Sequence, residues 1–486
     1  MDNHGKSGMI ALKVVLITSS TGQNERLENQ SAWPPLGLLY LGTALQSAGH
    51  EVKVMDNARA RLPVEKVAER IKKENPEILG VSALTPTFKE GIKIAAAVKS
   101  ELPDVKIAFG NYHATFTYEQ LLVNCPIVDC VVIGEGERTF LELVNAVEKN
   151  QEMKSVRGIA FRHDGKVVRT EPTPLIENLD ELPIPNRALL DQVYYSEVVG
   201  LLGSSGKFTT VITSRGCPYA CTYCACAAFS SRKVRFRSPE SVVAEMEALW
   251  SEGYEEIGFV DDNLLVNRQR VEKICDMLKE KKIKFNLWAE GRVDHASHEM
   301  LRKFTRAGCK TIYFGIESGN QKVLDYYKKN ISPELSRKAV HNCKKAGIEN
   351  VIGSFIVGAP FETRDDIRQT FDFSASLDGM DFPQINVLTL SPGTDLWNTA
   401  IKEGYLDKEK YWDRDVAAVS VFPSQVREDE LRKMINGFYT EFIKRPRFLV
   451  TQILKSIKSE YRLKIFLSNM KAGTSIRAAI KQLQGG

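Results

Sequence analysis

The strongest constraint in this chain is a rhythm: short apolar runs alternate with helical patterns twice over, with a proline-rich interruption between. From residue 12 the runs LKVVLITS, EVKVMD, ILGVSAL, VKIAFG and IVDCVVIG are each followed by a helically spaced stretch, from LGLLYLGTALQSAG to GERTFLELVNAVEK. Strand then helix, five times with short connections, predicts a parallel sheet covered on both faces. Such a doubly wound domain spans 1–150, with its ligand expected at the C-terminal ends of the strands.

Residues 151–206 break the rhythm. GIAFRHDGKVVRTEP reads as a hairpin turned at Asp164-Gly165, and Pro172, Pro174, Pro183 and Pro185 mark extended chain, so this segment is a linker with some structure. Alternation resumes at FTTVITS, 208 to 214, and runs on through EEIGFVDD, KFNLWAEG, KTIYFGIES, NVIGSFIVGAP and QINVLTLSPG. Six such strands predict an α/β partial (β/α)6 TIM-like barrel over 207–400, its site at the C-terminal strand ends. The rest, 401–486, reads as a basic, mainly helical extension. Apolar residues in FLVTQILKSIKSEYRLKIFLSNM recur at roughly helical spacing, a face that suits packing on the barrel or, less often, a membrane surface.

A chain of 486 residues divides into two or three domains. The N-terminus lacks a charged segment followed by an apolar one and a small-residue cleavage site, and no run of about 18 apolar residues occurs, so a cytoplasmic protein without a transmembrane segment is expected. The net charge of +5 is unevenly placed: from Arg427 onward there are 13 Lys/Arg against 5 Asp/Glu. That basic tail is the solvated face of helices or an attraction to an acidic partner. No aromatic-rich basic patch lies elsewhere, so nucleic acid is not an expected partner.

Nine cysteines, an odd count, argue against a disulfide framework and for metal or redox use. Four of them fall in RGCPYACTYCAC, residues 215–226, just after the first barrel strand. Cys217, Cys221 and Cys224 form CxxxCxxC. A structural zinc site takes four protein ligands, and Cys226 lies too close to Cys224 to supply the fourth comfortably. An iron-sulfur cubane on three cysteines, with one iron open, fits better.

CxxxCxxC with Tyr223 before the last cysteine resembles the signature of the radical S-adenosylmethionine (radical SAM) superfamily. The other strand ends resemble that superfamily's motifs in order, over about residues 207–395. GFVDDN offers Asp261, Asp262 and Asn263, where the family holds the methionine amino group. LWAEGRVD offers Glu290 and Arg292, and GIESGN offers Glu317 and Ser318. GSFIVGAPFET and LSPGT follow. The resemblance implies a 4Fe-4S cluster, S-adenosylmethionine, and an electron donor of the flavodoxin or ferredoxin kind.

In the first domain, SAWPPLGLLYLGTALQSAGHEVKVMD with ILGVSALTPTFKEG, AFGNYHATF and VVIGEGERTF resembles the cobalamin-binding domain that precedes many radical SAM barrels. The histidine of that family's DxHxxG loop falls on or beside Pro34, in AWPPLG with Gly37, and neither Pro34 nor Trp33 is a normal axial donor. Trp33 is expected below the metal or as a core residue stapling the first helix. Ser82 and Thr85 match hydroxyls lining the nucleotide-tail slot. Gly110, Tyr112, Gly134 and Gly136 belong to segments where glycine lets the chain come close. His113 reads as an axial donor or as a buried core histidine.

Together the two domains resemble class B radical SAM enzymes, dominated by C-methyltransferases acting on unactivated carbon. In that family one S-adenosylmethionine methylates the corrinoid and a second yields the 5'-deoxyadenosyl radical. A lipid, small molecule, tetrapyrrole or protein side chain all remain open as substrate. An anaerobic oxidative cyclase of a tetrapyrrole shares both domains and a basic extension, and a non-catalytic cobalamin or iron-sulfur sensor is the third reading. A methylthiotransferase is disfavoured, because its N-terminal domain brings three more cluster cysteines whereas this one has only Cys125 and Cys130.

Overall fold

The computed structural model describes residues 11–20, 33–198, 201–412, 425–458, 460 and 463. The first sheet contains β1 (Lys13–Thr18), β2 (Glu51–Asp56), β3 (Ile78–Ser82), β4 (Lys106–Gly110), β5 (Cys130–Val132), β6 (Ile159–His163) and β7 (Lys166–Arg169). Their order is β2-β1-β3-β4-β5-β6-β7, parallel as far as β5 and antiparallel after it. The chain leaves β1 in one direction and returns to β3 on its other side, so the strand order reverses there and opens a crevice at the strand ends.

The hairpin expected at Asp164-Gly165 forms, with φ of 48° and 73° at the two turn residues. Positive φ at both matches the turn whose twist suits paired strands. Its strands extend the first sheet instead of standing apart as linker.

The second sheet contains β8 (Tyr195–Val198), β9 (Leu201–Val211), β12 (Glu256–Phe259), β13 (Asn286–Gly291), β14 (Cys309–Glu317), β15 (Asn350–Val357) and β16 (Phe382–Val387). A separate ribbon pairs β10 (Ser214–Arg215) with β11 (Arg235–Phe236). The order β16-β15-β14-β13-β12-β9-β8 sets six strands parallel, with β8 antiparallel at one edge. The first barrel strand therefore starts earlier than its apolar run suggested, and β8 was not legible. Ile257, Phe259, Leu287, Ala289, Ile312 and Phe314 join the core beneath the surrounding helices. Strand alternation then turns Gly258, Trp288, Glu290, Tyr313 and Gly315 toward the barrel axis.

The two domains are locked together. Arg187, in the linker, pairs with fully buried Glu245 at 2.5 Å and donates to the Thr210 carbonyl at 2.7 Å. After β16, Leu388, Leu396 and Trp397 pack with Phe88 and Leu121 of the first domain. The helix Glu428–Lys444 lays Leu431, Ile435, Phe438 and Phe442 on the barrel core, whereas the stretch for which packing was expected begins in the next helix, Pro446–Lys458, whose Leu449, Val450, Ile453, Leu454 and Ile457 are exposed. Residues 464–486 of the tail's helical expectation lie outside the described residues. No helix among the described residues is long and apolar enough to cross a membrane.

Candidate functional site

The cysteine loop hangs from the β10–β11 ribbon. Gly216 begins it with φ of 91°, and a Cβ there would meet the Lys233 carbonyl at 2.0 Å, so only glycine lets the loop close. The Gly216 N–H donates to Asp262 Oδ2 at 2.8 Å. Farther along, Thr222 N–H donates to the Tyr327 carbonyl at 3.1 Å and Leu396 N–H to that of Thr222 at 3.0 Å.

Cys217, Cys221 and Cys224 are partly exposed. Burial, then the neighbouring thiols and Asp262, pushes Cys224 up to about 11; burial chiefly raises Cys217, with Cys221 and Asp262 adding to it. The thiols thus feel one another, yet among the described residues no three Cys, His or acidic side chains close on a single-ion position. Three thiols on one loop that act on one another, with no fourth ligand in the set, suit a cluster with one open iron. Cys226 is buried at the start of the helix Cys226–Phe229, its thiol hydrogen-bonded to Asp262.

Beside the loop lies a cavity of about 410 Å³ inside the barrel. Tyr223, Asp262, Glu290, Arg292 and Glu317 all line it. Glu317 has φ of 66° at a register shift between β14 and β15, a bulge that re-aims its side chain inward. Lys329 Nζ pairs with Glu317 Oε1 at 2.7 Å, and the Tyr223 hydroxyl donates to the same oxygen at 2.9 Å. Arg292 is held by Asp294 at 3.0 Å and by the Lys329 carbonyl at 2.7 Å, over the Tyr219 ring and 3.8 Å from Cys221 Sγ. Glu290 lines the cavity and is accessible from it; desolvation by the surrounding barrel first, then Asp262 and Asp261, pushes its carboxyl up to about 7.

Two strand-end residues turn away. Asp261 is buried against the loop, accepting from Thr213 Oγ1 at 2.6 Å and Ser214 Oγ at 2.5 Å. Ser318 is buried against Thr370 Oγ1 at 2.9 Å. Neither lines this cavity; both fasten backbone. Lys329, Tyr313, Ser354 and Asn386, which do line it, escaped the sequence reading.

A second cavity, of about 370 Å³, runs from the β1/β3 crevice to the cysteine loop. Gly37, Ser82, Gly110, Tyr112, Gly134 and Gly136 all line it. Its deep part is apolar, with Leu16, Gly80, Val81, Phe109 and Phe140. Ser82 accepts from Asn111 Nδ2 at 3.0 Å, and Tyr112 stacks on Phe229 of the loop helix with centroids 4.2 Å apart. At its rim, buried Arg235 grips Glu135 through two bonds of 2.8 Å and Arg215 reaches Glu137 at 2.5 Å. Breaking such buried pairs is costly, so they latch the domains at the cavity mouth.

Four expected residues stand outside this cavity. Trp33 inserts into the base of the barrel, 4.5 Å from the Trp288 ring and 5.4 Å from Phe208, so it staples one domain to the other and not the first helix to its own sheet. Pro34, buried beside it, is absent from the lining. Thr85 is spent on His113 Nδ1 at 3.1 Å. His113 is buried against Phe88 with centroids 4.0 Å apart, and burial, then Lys89, pushes it down to about 3. A neutral core imidazole results.

Against known proteins, the Radical SAM superfamily profile matches residues 211–374 and the B12 binding domain profile residues 27–144. An uncharacterized methyltransferase of Pyrococcus horikoshii is 34% identical over 92% of this chain and 96% of its own length. This chain is a radical SAM enzyme of the family that carries a B12-binding domain. An anaerobic magnesium-protoporphyrin IX monomethyl ester cyclase of Rubrivivax gelatinosus is 29% identical, over 86% of this chain and 75% of its own. The fold is shared with the radical enzyme OxsB, solved with aqua-cobalamin and S-adenosylmethionine bound, at a TM-score of 0.70 and 19% identity over 95% of this chain and 72% of OxsB. The cofactors of this radical SAM enzyme are accordingly a 4Fe-4S cluster, S-adenosylmethionine and cobalamin. Its residues fit them: three thiols without a fourth, a charged barrel mouth, and an apolar slot kept open by glycines.

Proposed function

We propose that this enzyme is a C-methyltransferase acting on an unactivated carbon. The observation that carries the reading is a shared wall: Asp262 lines both the slot of the first domain and the cavity of the barrel. Chemistry begun at the barrel mouth and a group delivered from the first domain thus meet across one side chain. When bound, S-adenosylmethionine with the reduced cluster supplies a 5'-deoxyadenosyl radical and cobalamin supplies the methyl group.

The chain's own work is binding and orientation. Cys217, Cys221 and Cys224 hold the cluster, with Arg292 and Lys329 as cations beside it. Tyr223 and Lys329 fix Glu317 through one of its oxygens, so the second is left for a donor on the cofactor or substrate. Asp262, anchored by Gly216, fixes the boundary between the two cavities. The substrate is proposed to enter between the domains, as a small molecule, lipid, tetrapyrrole or protein side chain.

Incubating the anaerobic holoenzyme with titanium(III) citrate and S-adenosylmethionine tests this. Methyl transfer predicts both S-adenosylhomocysteine and 5'-deoxyadenosine. The cyclase reading, favoured by the Rubrivivax relative, predicts 5'-deoxyadenosine alone, and a sensor predicts neither.

A further inference from the structure

The helix Pro446–Lys458 is docked the opposite way round from an ordinary amphipathic helix. Its grip on the barrel runs through polar groups and one ring. Gln452 Nε2 donates to Asp381 Oδ1 at 3.2 Å, Lys455 Nζ reaches the same oxygen at 2.7 Å, and Phe448 lies 4.9 Å from the Phe442 ring. Its aliphatic residues point outward: Leu449, Val450, Ile453, Leu454 and Ile457 are between 42% and 70% exposed. Their spacing puts all five on one arc of the helix.

Charge says what covers that arc. From Lys444 to residue 486 the chain carries 10 Lys/Arg and a single acidic residue, Glu460. A second copy laid face to face would set one such cationic field against another. An anionic bilayer answers both features at once, headgroups meeting the cations and acyl chains taking the aliphatic residues.

We propose that the Pro446–Lys458 face binds the surface of an anionic lipid bilayer. The helix lies at the N-terminal ends of the barrel strands, because Asp381 immediately precedes β16 and the Glu349 carbonyl, 3.4 Å from Lys455 Nζ, immediately precedes β15. The cysteine loop follows the C-terminal end of β9, at the opposite end of the barrel. Docking therefore leaves the mouth facing away from the membrane, which makes the helix a tether and not an entry route for substrate.

The test is flotation of the full-length holoenzyme with phosphatidylcholine vesicles and with vesicles containing phosphatidylglycerol. Binding to the anionic vesicles alone, weakened by salt, is expected. The double variant Ile453→Asp/Ile457→Asp should bind on the order of tenfold more weakly, with iron, corrinoid and circular dichroism unchanged. Leu454→Ser, a milder change, should weaken binding less. Failure of the wild type to float with anionic vesicles would overturn the proposal. So would equal binding by the double variant, which would leave the tail's positive charge alone as the cause. A wild-type dimer in sedimentation velocity, split by the same double variant and indifferent to vesicles, would assign the face to a second copy and overturn it as well.

Discussion

The two cavities that meet at Asp262 are built from opposite materials. The slot in the first domain is shaped by omission: Gly80, Gly110 and Gly134 leave space between apolar strand ends, and its polar groups sit at the rim. The barrel cavity is shaped by charge, with Glu290, Arg292, Glu317 and Lys329 facing one volume. Shape alone suits a large rigid ligand held mainly by contact. Fixed charges suit a zwitterionic ligand whose reacting atoms must be placed.

The largest effect expected separates the two. Replacing Cys217, Cys221 and Cys224 by Ala should remove the iron, the brown colour and all 5'-deoxyadenosine formation. None of the three lines the slot, so corrinoid content should persist. Loss of both cofactors together would show that the cavities are not independent. Cys226→Ala should keep its iron, since the ligand set is complete without it.

The reciprocal change is Gly110→Leu. A Cβ at Gly110 would meet nothing nearer than Val132 at 3.9 Å, so the new side chain enters the slot without displacing the protein. Corrinoid retention on gel filtration should fall on the order of tenfold or more while iron and S-adenosylmethionine cleavage remain, because a core-sized side chain removes volume that the ligand needs. Normal corrinoid content would place the ligand elsewhere.

A smaller effect concerns the charged cavity alone. The Glu290 carboxyl, at about 7, keeps its proton well above the roughly 4.3 of an unfolded glutamate. Between those values the unfolded chain has lost a proton that the folded chain retains, so stability falls as pH rises through the window. Glu362, also raised to about 7 by burial, acts in the same direction. Glu290→Gln should flatten part of that decline, and should remove an inflection near neutrality from the rate of 5'-deoxyadenosine formation. A pH profile identical to wild type would remove Glu290 from the site.

Which parts of this were legible in the sequence follows from what a strand end specifies. Apolar runs bounded by glycine and charge fix where backbone goes, and the glycines and Ser82 of the slot follow from that, since they matter for what they lack. A strand end does not say which way each side chain points. Asp261 and Asp262 are adjacent in the loop beyond β12, where no strand period applies, and one anchors the cysteine loop while the other lines the cavities. Glu317 and Ser318 part in the same way, helped by a bulge that no spacing reveals. Lys329 lies in YYKKN, a stretch without periodicity, and reaches the site only because the helix before it ends at Tyr326. Trp33 was read by its neighbours in sequence, yet its partners, Phe208 and Trp288, come from the other domain.

The smallest effect expected is at His113, the histidine of the helix that starts at the slot. Its Nδ1 is engaged by Thr85, its ring lies on Phe88, and it does not line the cavity. A ring with a pKa of about 3 is neutral in the fold, whereas an unfolded histidine gains its proton below about 6.5. Stability should therefore fall as pH drops from about 6.5 toward 3, and His113→Gln should soften that fall at a cost of about 1 kcal/mol for the disturbed hydrogen bond. The electron paramagnetic resonance spectrum of the cob(II) protein should not change. Nitrogen splitting present in the wild type and lost in His113→Gln would make His113 an axial donor. That result would require the helix start at Asn111–His113 to turn its ring from Phe88 into the slot, and would break the contrast between a cavity made by contact and one made by charge.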